Sequence, residues 1–117
     1  MNTIHDLKTT VRLSIVNPQS KGDSEFGRGI ASLCQGVREK GSLNAAAKSM
    51  GMAYSKAWRI VKSTEEALDI ELLNRDGAHG SSLTPEGEAL LDAYVALSEK
   101  MQAASEAAFD AYWNQAE

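Results

Sequence analysis

Gly41-Ser42-Leu43-Asn44-Ala45-Ala46-Ala47-Lys48-Ser49-Met50-Gly51-Met52-Ala53-Tyr54-Ser55-Lys56-Ala57-Trp58-Arg59 is the stretch on which the fold turns. Ser42 stands where a helix N-cap is wanted, the tri-alanine fills a short helix running through Met50, and Gly51 falls just past its end. A second helical period follows from about Tyr54 to Leu68, with Ala57, Ile60, Val61 and Leu68 inward and Lys56, Arg59 and Lys62 elsewhere. A tight helix-turn-helix needs small side chains where backbones approach and a turn residue tolerant of positive φ. The tri-alanine and Gly51 meet both demands, and the stretch predicts a helix-turn-helix over 42–68.

Upstream, Ile30, Leu33, Cys34 and Val37 keep helical spacing, and Gly41 stops that helix after Arg38 and Lys40, giving a first helix over Gly29–Lys40. Downstream, 70–76 reads as a strand, 77–80 as a turn and 81–83 as the returning strand, so 70–83 forms a wing. Val11, Leu13 and Ile15 alternate with Arg12 and Ser14, the period of a half-buried strand over 11–16. A lone strand needs a partner, and the hairpin is the expected one, making a three-stranded sheet. The intervening 17–28, dense in Pro, Gly, Ser and Asp, reads as a loop that Phe26 plugs onto the core.

Thr84-Pro85-Glu86 sets a cap, a first-turn proline and a first-turn acid in the order that starts a helix. No breaker follows Gly87, and Leu90, Tyr94, Leu97, Met101, Ala104, Ala108 and Ala111 recur at alternating steps of four and three. That is a heptad seam, and a domain this small has little surface of its own to cover it. The expected fold is therefore mainly α with a small β-sheet: a winged helix-turn-helix over 1–84, and a long C-terminal dimerisation helix over 85–117. The dimer interface is assigned to Leu90, Tyr94, Leu97, Met101, Ala104 and Ala108.

The chain has 117 residues and a net charge of −4, which is unpromising for a nucleic-acid binder until it is divided along the sequence. Residues 1–36 carry +1, 37–64 carry +5 and 65–117 carry −10. Positive charge is concentrated on the helix-turn-helix, while the acidic remainder limits non-specific association. No run approaches the roughly 20 apolar residues of a membrane span, and Met1–Thr10 lacks the pattern of a signal peptide, so a cytoplasmic protein is expected. Cys34, the single cysteine, allows no internal disulfide and no cysteine-built zinc site, and reads as a small buried apolar side chain. No cofactor is expected.

From Phe26 onward the sequence resembles the N-terminal DNA-binding domain of ModE-type, molybdate-responsive regulators, relatives of the LysR-type winged helix. The resemblance rests on Phe26-Gly27-Arg28-Gly29, Gly41-Ser42-Leu43-Asn44-Ala45-Ala46-Ala47, Gly51-Met52-Ala53-Tyr54, Ala57-Trp58 and Leu83-Thr84-Pro85-Glu86-Gly87, in that order and spacing. It implies a DNA-binding transcriptional regulator acting on a pseudo-palindromic operator as a homodimer. Three departures stand out: Ala53 replaces the usual Ser at the start of the recognition helix, the wing tip 76–82 is short and lacks a lysine, and the long helix ends the sequence where full-length members carry an oxyanion-binding region. Molybdate binding is accordingly not expected of this chain.

A helix-turn-helix lays its second helix in the major groove, where the N-terminal residues reach base edges and flanking cations hold phosphates. Tyr54, Ser55, Lys56, Arg59 and Lys62 are placed to do so, with Arg59 the base reader through bidentate guanidinium bonds to guanine and the lysines on phosphates. Ser42 caps its helix and is expected to meet a phosphate there, Trp58 is expected to pack against the wing or the last helix, and Arg75 and His79 on the wing reach the backbone or minor groove. An enzyme is disfavoured: His5 and His79 lie in loop-like segments, and no carboxylate pair sits in a recognisable catalytic pattern. The competing reading is a winged helix that serves as a protein-interaction module and no longer binds DNA.

Overall fold

A computed structural model describes residues 1–22, 24–75 and 80–116. After a single 3-10 turn at Ile4–Asp6, the order is α1 (Arg28–Lys40), α2 (Leu43–Ser49), α3 (Tyr54–Leu68), β1 (Leu73–Arg75), β2 (Ser81–Leu83) and α4 (Pro85–Ala116). The principal extents are 61 × 34 × 22 Å, the long axis reflecting the 32 residues of α4, about 48 Å of helix.

The core is built where α1, α2 and α3 cross beneath the hairpin: Phe26, Leu33, Val37, Leu43, Val61, Leu72 and Leu91 are fully buried. Burial of such side chains stabilises by about 2 kcal/mol each. The tightest helix contact lies between α1 and α2, where a Cβ on Gly36 would stand 2.6 Å from the Cβ of Ala46. The small residues of α2 thus serve its contact with α1 as well as the turn. In that turn Ala47 O accepts from the backbone N–H of both Met50 and Met52, and Gly51 takes φ 65°.

Two sequence expectations change. The hairpin pairs Leu73 with Leu83 and Arg75 with Ser81, but its first strand begins at Leu73 rather than at 70. The reason is Glu65 on α3, whose carboxylate accepts from the N–H groups of Leu72 (2.7 Å) and Leu73 (3.3 Å), while Asp69 ends α3 in the left-handed conformation.

The second correction concerns 11–16, which forms no strand: among the described residues the sheet has two strands, β1 and β2. Only Ile15 makes a bridge, to Phe26, through reciprocal bonds of 2.9 and 2.8 Å. Further upstream the backbone is satisfied by α4 side chains: Val11 N–H donates to Gln102 Oε1 (2.9 Å), Gln102 Nε2 donates to Thr9 O (2.8 Å), and the Thr9 and Ser105 hydroxyls meet. Backbone groups that no strand pairs find other partners, and here a helix face supplies them. Phe26 does plug its loop, fully buried and edge-on to Tyr94 at 5.6 Å between centroids.

Thr84 starts α4 as expected: its Oγ1 accepts from Gly87 N–H (2.9 Å) and donates to Glu71 O (2.6 Å), tying the cap to the hairpin. Arg38, near the end of α1, clamps α4 by ion pairs to Glu88 and to Asp92 (2.9 Å), and these partners, Glu88 first, raise its pKa.

Candidate nucleic-acid interface

Residues Ala57, Val61, Thr64 and Ala67 form the buried stripe of α3, and this burial fixes which side of the helix faces outward. Tyr54, Ser55, Lys56, Arg59 and Lys62 are all exposed on the remaining surface. The structure thus brings together every α3 residue named from the sequence. Tyr54 and Trp58 meet edge-to-face at 6.2 Å, with Trp58 half-buried against the margin of the core. Two open clefts flank the helix, one of about 400 Å³ lined by Ser55, Trp58, Arg59 and Lys62, the other of about 580 Å³ reached by Lys56 and Arg59. Arg59 borders both.

Ser42 occupies the N-cap of α2, where its Oγ accepts from Ala45 N–H at 3.0 Å. Its hydroxyl proton is not used in that bond. Ala53, the N-cap of α3, has the extended conformation of a cap (φ −65°, ψ 142°) but no side chain able to accept, so the first N–H groups of α3 lack a cap bond. A serine there would add about 1 kcal/mol. Ser81 N–H donates to Gly41 O at 3.0 Å, anchoring the returning wing strand beside the start of α2.

The wing assignments are less complete. Arg75 is the last residue of β1, and His79 lies outside the described residues. One cation that sequence reading overlooked is Arg28, the first residue of α1, which lines the larger cleft together with Lys56 and Arg59. Its distance in sequence from α3 hides that proximity; the only local signal is its place within the Phe26-Gly27-Arg28-Gly29 stretch.

The expected seam on α4 is divided. Leu90 and Tyr94 pack on the chain's own core, whereas Leu97 and Met101 are exposed at 43% and 40%, followed by exposed Ala104 and Ala108. The face that the N-terminal segment covers instead carries Gln102 and Ser105. Among the described residues no group of three or more His, Cys, Asp or Glu could hold a metal, and no helix is long and apolar enough to cross a membrane.

Residues 32–88, from the first turns of α1 through the hairpin to the start of α4, match the family described as bacterial regulatory helix-turn-helix protein, lysR family. The fold is similar to the solved structure titled "Crystal structure of CbnR_DBD-DNA complex", with a TM-score of 0.59 and 25% sequence identity over 72% of this chain and 95% of that one. No curated protein sequence matches this chain. The architecture is a winged helix-turn-helix.

Proposed function

We propose that this protein is a DNA-binding transcriptional regulator of ModE/LysR-like type, acting in the cytoplasm as a homodimer on a pseudo-palindromic operator. The observation that carries the reading is the outward face of α3, where Lys56, Arg59 and Lys62 stand exposed beside Tyr54 and Ser55 above a stripe of small buried residues. Such a face enters the major groove, with Arg59 on base edges and the lysines on phosphates. Ser42, at the start of α2, offers a hydroxyl to the backbone, and Arg75 and His79 extend the contact along the wing. The ModE-type affinity draws its support from the ordered motifs between Phe26 and Gly87.

The exposed stripe Leu97, Met101, Ala104 and Ala108 supports pairing of two α4 helices, which sets two recognition helices about 34 Å apart on one duplex face. A second reading, a winged helix that binds a protein partner instead of DNA, draws on the same apolar stripe and on the acidic balance of 65–117. An electrophoretic shift assay on genomic fragments at low salt separates the two. Retarded fragments support the regulator; no retention at any protein concentration removes it and leaves the interaction module.

A further inference from the structure

The larger cleft beside α3 is lined by three cationic side chains from two helices: Arg28 at the start of α1, and Lys56 and Arg59 on α3. All three are exposed, and the ion pairs that Arg38 makes with Glu88 and Asp92 do not involve them. Among the described residues that line the cleft one is acidic, Glu25, whose Oε1 accepts from the Ser14 hydroxyl at 2.7 Å. At Gly29 an added Cβ would meet nothing within 4 Å, so the wall beside Arg28 is open to an approaching group. Three cations against this one acid leave the recess, of about 580 Å³, net positive.

We propose that this recess seats a backbone phosphate of the same duplex that α3 reads, with Arg28 as a phosphate ligand supplied from outside the helix-turn-helix. The inference rests on the DNA-binding reading. The occupant is a duplex phosphodiester because Arg59 lines both this recess and the cleft formed with Ser55, Trp58 and Lys62. A helix lying in a groove about 12 Å wide has a sugar-phosphate strand on each side, and the recess lies along one side of α3. A guanidinium bonds phosphate in a fork and holds its charge at any working pH. Arg28 would set the register of the protein on the duplex without reading its sequence.

The test is fluorescence anisotropy of the full chain with two duplexes, one selected for binding and one of scrambled sequence, titrated across salt concentration. Arg28→Gln is expected to weaken both by a similar factor, roughly tenfold at low salt, and to lower the slope of log K against log salt by about one. Arg28→Lys should keep the slope, and Lys56→Gln with Arg28→Gln should lower it by about two. If wild type binds DNA and Arg28→Gln leaves the slope unchanged, the phosphate seat is overturned and the regulator stands. If wild type binds neither duplex, both fall together.

Discussion

Arg59 stands where the two clefts of α3 meet, and its replacement separates reading from mere attachment. Arg59→Ala is expected to cost about 1–3 kcal/mol on a selected duplex and much less on scrambled DNA, measured as a ratio of dissociation constants. Its exposed position was legible, since the buried residues 57 and 61 fix the helix phase. Arg28 was not, because its proximity to Lys56 is created by the crossing of α1 and α3 and leaves no periodic trace. Cys34 shows the opposite case. Its place on the inner stripe of α1 predicted burial, and burial pushes its thiol up to about 12. At pH 8 its labelling by a thiol reagent should run roughly a thousandfold slower in the folded protein than in urea. The native state also holds this proton after the unfolded chain has released it, so Cys34 makes stability fall as pH rises from about 9 towards 12. Rapid labelling under native conditions would contradict the burial.

Among the elements, the helix-turn-helix was the most legible because each boundary has a local cause: Ser42 bonding Ala45, Gly51 at positive φ, and Asp69 closing α3. Closest approach, by contrast, depends on which partner the alanines meet. Ala46 meets Gly36, and Gly36→Ala is expected to destabilise by about 2 kcal/mol in urea unfolding, because neither helix can retreat from a 2.6 Å contact without opening the core. An unchanged midpoint would show that α1 and α2 are less tightly joined. The N-terminal segment was misassigned for a physical reason. Period-2 alternation reports half-burial, which Leu13 and Ile15 do have, but it does not say whether a strand or a helix does the covering. Here Gln102 and Ser105 of α4 take the place of a third strand. The start of the wing at Leu73 was likewise decided by Glu65, a carboxylate from another element.

For the molecule as a whole, the segregation of charge is the property that unifies fold and proposed function. The +5 segment supplies α3, while α4 begins with Glu86 and Glu88, and Arg38 leaves the cationic set to clamp the two regions together. The proposed dimer uses the distal part of α4, where the remainder of the seam is exposed. Met101→Glu, with Leu97→Glu as a second variant, should shift the protein from dimer to monomer in sedimentation equilibrium while leaving its circular dichroism unchanged. A wild-type monomer at micromolar concentration would remove the proposed interface. The central claim, that the outward face of α3 binds duplex DNA, is tested most directly by equilibrium binding of wild type and a Lys56→Glu/Arg59→Glu/Lys62→Glu variant across salt. Wild type should bind with an affinity that falls steeply with salt, and the triple variant, whose changes lie on exposed positions, should fold and show no binding at low salt. Equal affinity and equal salt slope for the two proteins would contradict the account.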